Sequence, residues 1–229
     1  MRIEVNHSGK NYKSFRAEKV KSLFNAECGH KWSHTANVPT EGDNWQIGLV
    51  VGPSGSGKTS IGKQLWPGVH IHDLYAGWNN NQPIIDNIAL GQNMNVATAA
   101  LSAVGLGDVP SWLRPFKALS NGEQYRAGLA RLICDAPEKV VIDEFTSVVD
   151  RQIAQIGASA FSKSWRRTKG KQIVLLSCHY DIIEWLQPDW VYDTRTGEVK
   201  KKSKNDPISS LTFGRQTELT GSILKSIII

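Results

Sequence analysis

The stretch WQIGLVVGPSGSGKTS, Trp45 to Ser60, contains three local patterns that meet at a glycine-rich loop. Its first part, WQIGLVV, is a short apolar run, and such runs are typical of fully buried parallel strands. From Ser60 to Leu65 the sequence can form a helix whose first amide groups point at the loop. The glycines between them allow the backbone to wrap closely around an anion: Gly52, Gly55 and Gly57. Strand, glycine loop and helix in this order predict a phosphate-binding loop.

The loop carries a complete G-x-x-x-x-G-K-[ST] spacing from Gly52 to Thr59. In this spacing the ammonium of Lys58 reaches the β- and γ-phosphates of a nucleotide, and the Thr59 hydroxyl holds Mg²⁺. A plain glycine turn would explain neither residue. We therefore expect the nucleotide to contact the loop residues Gly52, Pro53, Ser54, Gly55, Ser56, Gly57, Lys58, Thr59 and Ser60.

A second acidic motif lies in KVVIDEFTSVVD, Lys139 to Asp150. Its apolar start predicts a strand that ends at Asp143 and Glu144. Asp143 can bind Mg²⁺ through water, and Glu144 can orient and deprotonate a water that attacks the γ-phosphate. An adjacent acid pair of this kind favours hydrolysis of the nucleotide over transfer of its phosphoryl group to a small molecule.

A third motif, KALSNGEQYRAGLARLI, occupies Lys117 to Ile133 and predicts a helix from about Glu123 onward. Ser120 is placed as its N-cap, with Glu123 three residues later, which is a capping box. The serine, the glycine amides and the helix N-terminus also form a second anion-binding surface. The two interpretations are compatible.

In their order along the chain these motifs resemble those of ATP-binding-cassette (ABC) ATPases, over about residues 45–195. GPSGSGKT is similar to the Walker A loop, LSNGE to the signature LSGGQ, and VVIDE to Walker B. SVVD, ending at Asp150, resembles the D-loop, and LLSCHYD places His179 at the switch-histidine position. Gln82 resembles the Q-loop glutamine. The pattern is further similar to soluble ABC ATPases that occur alone or joined to a predicted acetyltransferase domain, although no acetyltransferase segment fits in this chain.

The resemblance implies a homodimer with ATP and Mg²⁺ at its interface. The catalytic residues would be Glu144, His179, Lys58 and Gln82, and the metal ligands Thr59, Gln82 and Asp143. Ser120 and Gly122 of the partner chain would close over the γ-phosphate. The further nucleotide-binding candidates in the signature and the D-loop are Asn121, Glu123 and Asp150. For stacking on adenine, Phe24 is the first candidate and Trp32 the second, and either one could equally be a core aromatic.

The implied fold class is α/β, a P-loop NTPase of ABC type within one domain, residues 1–229. We expect a mostly parallel core sheet with helices, an N-terminal antiparallel β-layer, a reduced helical subdomain at about 83–118 and a tail at about 200–229. Lys58 to Gln82 spans 82 − 58 = 24 residues and Gln82 to Ser120 spans 120 − 82 = 38. Both distances are short beside transporter cassettes. VYDTRTGEVKKK, beyond Trp190, predicts a terminal hairpin.

Composition limits which cellular process the ATPase could drive, but it does not identify that process. The 229 residues are 40% hydrophobic and 21% charged, and no window approaches the ~20 apolar residues of a membrane span, so we expect a cytoplasmic protein. A net charge of +6 favours polyanionic partners, and the three cysteines are expected to be reduced. Three tasks stay open: a soluble mechanical or switching ATPase acting on nucleic acid or in a phage, defence or mobile-element system; the ATP-binding subunit of a transporter; and an ATP-switched assembly module.

Overall fold

The computed structural model of the protein describes residues 1–8, 12–25, 31–40, 42 and 45–202. Most of the predicted C-terminal tail, including its apolar end, lies outside these residues, as does Cys28. The strands are β1 (Arg2–Ser8), β2 (Lys31–Asn37), β3 (Ile47–Val51), β4 (Ile71–His72), β5 (Lys139–Ile142), β6 (Gln172–Ser177), β7 (Trp190–Asp193) and β8 (Glu198–Lys201).

Six of these strands form the core sheet, in the order β4-β5-β6-β3-β7-β8. Strand β3 lies between β6 and β7 and is parallel to both, and the only antiparallel pair in this sheet of the described chain is β7 with β8. Every residue of β3 and β6 is buried, because helices and the N-terminal layer cover both faces of the sheet. The predicted mostly parallel core sheet and the terminal hairpin are therefore confirmed.

The N-terminal layer is an antiparallel pair of β1 and β2, as predicted. It buries Ile3, Val5 and Ala36 against one face of the core sheet, in a cluster that includes Val50 and Trp190. This layer covers the face of β3 that the large helices leave open.

The helices are α1 (Phe15–Phe24), α2 (Lys58–Gly62), α3 (Met94–Ala103), α4 (Val109–Trp112), α5 (Asn121–Asp135), α6 (Arg151–Trp165) and α7 (Ile182–Leu186), with 3₁₀ turns at Ile84–Asn87 and Phe116–Ala118. Helix α2 begins at Lys58, two residues before the predicted start at Ser60. Within the described residues, no helix is both long and apolar enough to cross a membrane.

Helices α5 and α6 pack closely because glycines lie at their contacts. A Cβ atom on Gly122 would lie 2.6 Å from Ile153 Cδ1, and one on Gly157 would lie 2.6 Å from Tyr125 Cε1. The predicted helical segment, residues 83–118, contains α3, α4 and the two 3₁₀ turns. Its helix α3 packs on α5 through Ala97, Ala100 and Leu101. The signature segment at the start of α5 is thus packed through Gly122 against Ile153 of α6.

Candidate nucleotide site

The glycine loop leaves the carboxyl end of β3 in a conformation that larger residues would not allow. Gly52 has φ +153°, and a Cβ atom there would lie 1.9 Å from Thr194 Oγ1. Gly57 has φ +87° and directly precedes α2. Because this is the left-handed region, a side chain at position 57 would be strained. The loop therefore requires these glycines for its shape as well as for access to an anion.

Lys58 lies folded back over the loop. Its Nζ donates to the carbonyl oxygens of Gly52 at 2.8 Å and Pro53 at 2.7 Å. Both acceptors are neutral, so phosphate oxygens would be stronger partners for the same ammonium group. This position keeps the charge of Lys58 beside the loop amides.

Two of the three predicted Mg²⁺ ligands, Thr59 and Asp143, meet at the end of β5. Thr59 Oγ1 donates to Asp143 Oδ2 at 2.6 Å, although the two residues are 84 positions apart in the chain. The other carboxylate oxygen, Asp143 Oδ1, accepts from the backbone N–H of Glu144 at 2.8 Å. A hydroxyl and a carboxylate oxygen are hard ligands, and Mg²⁺ commonly takes one or two such protein groups, with water and phosphates as its other ligands. The residues present fit Mg²⁺.

The phosphate loop and both acids face one cavity of about 560 Å³. Glu144 is exposed in it, whereas Asp143 is half-buried. Its lining residues are Ser54, Gly55, Gly57, Lys58, Thr59, Ser60, Lys63, Asp143, Glu144, Ser147, Ser177 and Cys178. The structure thus brings together the loop residues and the acid pair that the sequence predicted to act on one nucleotide.

A strained turn presents Glu144 to this cavity. Glu144 has φ +50° and Thr146 has φ +72°, and Thr146 is both β-branched and buried. Between them, the Phe145 side chain is buried and its N–H donates to the carbonyl oxygen of Leu176 at 2.9 Å. Residues in such conformations persist only where their surroundings fix them. Here the Phe145 anchor fixes the turn.

The predicted switch residue, His179, follows β6 and is tied to the same turn. Ser177 Oγ donates to the Phe145 carbonyl oxygen at 3.1 Å and accepts from the His179 N–H at 3.1 Å. Partial burial lowers the pKa of His179, the Arg151 cation lowers it further, and Asp181 opposes them. These effects favour the neutral form of His179, which can both donate and accept a hydrogen bond.

The end of β7 supports both loops, and the motifs did not identify it. Thr194 Oγ1 lies 2.6 Å from Ser56 Oγ in the phosphate loop and 3.2 Å from the Val51 carbonyl oxygen. Its neighbour Asp193 is fully buried and accepts from Tyr180 Oη at 2.9 Å, next to His179. The sequence signal that could have identified Asp193 and Thr194 is their position directly after the apolar run of β7.

The signature segment forms the predicted capping box. Ser120 N donates to Glu123 Oε2 at 2.7 Å, and Glu123 N donates to Ser120 Oγ at 3.4 Å. Ser111 Oγ also donates to Glu123 Oε1 at 2.6 Å, and these bonds, Ser111 first, lower the pKa of Glu123 to about 2. None of residues 120–123 lines the 560 Å³ cavity of the same chain.

Other predicted site residues lie elsewhere. Gln82 is exposed and outside the lining of this cavity. The segment directly after β4, residues 73–75, instead borders a second cavity of about 350 Å³ together with Asp143 and Glu144. The D-loop carboxylate, Asp150, accepts the N–H groups of Gln152 and Ile153 at 3.0 Å and so caps α6.

The predicted adenine-stacking residue, Phe24, is at the end of α1 with 75% of its surface exposed. The alternative that it is a core aromatic is therefore wrong. The side chain of the second candidate, Trp32, lies outside the described residues. The roles in nucleotide binding of Phe24, and of Gln82, stay predictions.

Sequence comparisons relate the chain to importer ATP-binding proteins. It is 27% identical over 175 residues to the taurine import ATP-binding protein TauB of Escherichia coli K12, a match that covers 62% of this chain and 66% of TauB. It is 25% identical over 193 residues to TauB of Ruegeria pomeroyi, covering 70% of each chain. No protein-family model matches the chain. The closer resemblance to cassettes found alone or joined to an acetyltransferase domain stays a prediction.

Solved structures agree on the fold. The ATP-binding cassette MJ0796, in a dimeric post-hydrolysis state bound to ADP and Pi, superposes with a TM-score of 0.59 at 14% identity, covering 88% of this chain and 98% of that one. A second dimeric structure of MJ0796, described as a bacterial ABC transporter cassette, gives 0.57 over the same shares. The chain shares this fold, resembles TauB in sequence and assembles both Walker-like motifs around one cavity, and in these three respects it is similar to the ATP-binding-cassette ATPases.

Proposed function

We propose that the protein binds Mg-ATP and hydrolyses it in a homodimer that holds two nucleotides between its chains. The observation that carries this proposal is the 2.6 Å hydrogen bond between Thr59 and Asp143 beside the exposed Glu144. It joins the Walker A helix to the Walker B strand at the position where an oxygen-liganded cation and the γ-phosphate would lie next to a general base.

Each residue then has a chemical task. Lys58 exchanges the carbonyl oxygens of its own loop for the β- and γ-phosphate oxygens, and the loop amides bind the remaining phosphate charge. Glu144 accepts a proton from the attacking water, and neutral His179 donates a hydrogen bond to the γ-phosphate. Mg²⁺, held by Thr59 and Asp143, would neutralise phosphate charge.

A second chain completes the site in this proposal. Ser120 is exposed at the start of α5 and lies outside the cavity of its own chain, so it is available to a neighbouring molecule, whereas Gly122 is buried against α6. The partner subunit's Ser120 would then contact the γ-phosphate through its hydroxyl, and the helix N-terminus behind it would favour the negative charge. ATP would therefore stabilise the dimer, and hydrolysis would release it.

Replacement of the general base gives the direct test. We expect Glu144→Gln to lower kcat by between about 10²-fold and 10⁴-fold, because it removes proton acceptance but retains size and polarity. ATP binding should persist, and the variant should elute as a dimer with Mg-ATP and as a monomer with EDTA. Exposed Glu138, outside the site, provides the control Glu138→Gln with unchanged kcat. An unchanged rate in Glu144→Gln would overturn the assignment of the base.

Of the three tasks that ATP could drive, two are each favoured by an observation of their own. The TauB relatives are import ATP-binding proteins, which favours the ATP-binding subunit of a transporter on the cytoplasmic side of a membrane. The net charge of +6 favours a soluble ATPase that acts on nucleic acid, in a phage, defence or mobile-element setting.

The two tasks predict different stimulators. Salt-sensitive stimulation of the ATPase rate by double-stranded DNA, single-stranded DNA or RNA would support the nucleic-acid task. Co-purification with a membrane protein and no such stimulation would support the transporter subunit. An assembly switch predicts that Glu144→Gln retains activity in the cell, since ATP binding alone would suffice.

A further inference from the structure

Arg151 belongs to none of the motifs, yet it contacts three segments near His179. These are the Walker B turn, helix α7 and the loop after β6 that carries His179, which we call the switch loop. Arg151 is the first residue of α6, directly after Asp150. Its Nε donates to Asp181 Oδ2 at 3.0 Å, and its Nη2 donates to Asp181 Oδ1. Its Nη1 lies 3.4 Å from Thr146 Oγ1 in the strained Walker B turn. Arg151 therefore contacts the turn that presents Glu144 and the loop that carries His179.

The orientation of this guanidinium is fixed from a second side. Its Cζ lies 4.9 Å from the centroid of the Trp185 ring, which belongs to α7. A planar guanidinium can bind a carboxylate in a bidentate manner while it stacks on an aromatic ring, and a lysine ammonium cannot reproduce both contacts. The chemistry of the site thus selects arginine.

We propose that Arg151 is a positioning residue for ATP hydrolysis, which holds the switch loop with His179 in a fixed position relative to the Walker B turn with Glu144. We call the set Arg151, Asp181, Thr146 and Trp185 the switch clamp. This inference rests on the proposed function, because it assigns His179 and Glu144 to the same reaction. Without the clamp, the two loops would share only the Ser177 hydrogen bonds among the contacts described above.

The clamp also sets the charge around His179. The direction in which the pKa of His179 shifts in clamp variants therefore separates a loss of charge from a general loosening of the packing. Among the described residues, the charged groups that act on His179 are Arg151 from α6 and Asp181 from its own loop. Loss of the Arg151 cation should raise the pKa of His179, and loss of the Asp181 charge should lower it. Both changes break the same ion pair, so a purely structural effect would move the pKa in one common direction.

The experiment combines two measurements on four variants: Arg151→Gln, Arg151→Lys, Asp181→Asn and Arg166→Gln. The first measurement is an NMR titration of the His179 ring in the nucleotide-free protein, assigned with His179→Asn. The second is steady-state ATPase kinetics. Arg166→Gln is the matched control, because it breaks an ion pair of the same type with Asp189, 3.0 Å long, at the opposite end of α6.

We expect Arg151→Gln and Asp181→Asn to lower kcat by about 10-fold to 100-fold, with opposite shifts of the His179 pKa. Arg151→Lys should keep the pKa near the wild-type value because the charge remains, yet it should still lower kcat because the bidentate contact is lost. Arg166→Gln should change neither quantity, and circular dichroism should show all four variants folded.

Two results would overturn the clamp: wild-type kcat in both Arg151→Gln and Asp181→Asn, or shifts of the His179 pKa in the same direction. An inactive wild-type protein would instead count against the proposed function. The titration of His179 does not depend on ATP hydrolysis, so it would still test the contact of Arg151 and Asp181 with the switch loop. A failure of the proposed function and a failure of the clamp are therefore distinguishable.

Discussion

At the scale of single residues, the nucleotide site depends on side chains that no nucleotide would touch. Thr194 is the clearest case. Its hydroxyl contacts the phosphate loop at Ser56, and the same atom occupies the space that a side chain on Gly52 would need. The glycine and the threonine therefore fit each other, and the pair fixes where the loop starts.

Removal of the Thr194 hydroxyl should weaken ATP binding. Thr194→Val keeps the shape of the side chain but leaves Ser56 without this partner, so we expect several-fold weaker ATP affinity and a loss of about 1–2 kcal/mol in the free energy of unfolding. Fluorescent-nucleotide titration and urea unfolding measure the two effects. Thr196→Val, in the exposed turn two residues later, removes a hydroxyl that accepts from Glu198 N and serves as the control. Equal nucleotide affinities in both variants would contradict the role of Thr194.

At the scale of elements, the start of α5 is stabilised by a carboxylate with unusually many donors. Glu123 accepts from Ser111 Oγ, from the N–H of Ser120 and from Ser120 Oγ, which joins α4 to the signature segment. Because these bonds favour the charged form, they lower the pKa of Glu123 from 4.5 to about 2. The contact holds the signature segment in place without a nucleotide.

The lowered pKa of Glu123 makes the stability of the fold depend on pH in a definite direction. A carboxyl whose pKa is lowered in the folded state stabilises the fold fully above the unfolded pKa, and the contribution is lost as pH falls toward the folded value. The stability difference between wild type and Glu123→Gln should therefore be constant above about pH 4.5 and shrink between that pH and about 2. Chemical unfolding at a series of pH values measures it. A difference that stays constant to pH 2 would contradict the shift.

At the scale of the whole molecule, the proposed site is incomplete in one chain. The cavity that holds both Walker motifs is lined by Cys178 as well, next to the switch histidine, and this thiol is exposed. The signature segment lies elsewhere on the same chain. Closure of the cavity by nucleotide and a second chain should therefore be detectable at Cys178.

Mg-ATP should slow alkylation of Cys178 by iodoacetamide, most strongly in Glu144→Gln, where the closed dimer would persist. The measurement is mass spectrometry of the labelled peptides in a Cys28→Ser background. Cys134 is the internal control, because its burial, with a smaller effect of Asp135, raises the pKa of its thiol to about 11, so it should react slowly with or without nucleotide. Equal alkylation rates of Cys178 with and without Mg-ATP would contradict closure over this cavity.

The sequence by itself determined the order of the motifs, the buried strand before the phosphate loop and the capping box at Ser120. Each of these is a local pattern, because the spacing of a few neighbouring residues specifies a turn, a helix start or a buried strand. The mostly parallel sheet followed from the resemblance that these patterns carry, and the strand order of the structure agrees with it.

Only the tertiary structure decided which distant side chains support the site. Thr194 reaches Ser56 across 138 residues because β7 lies beside β3, and Arg151 reaches Asp181 across 30 because α6 and α7 pack together. The structure also placed residues 73–75, rather than Gln82, beside the Walker B acids. Such contacts depend on which strands are neighbours and in which register they pair, and no local period in the sequence encodes either.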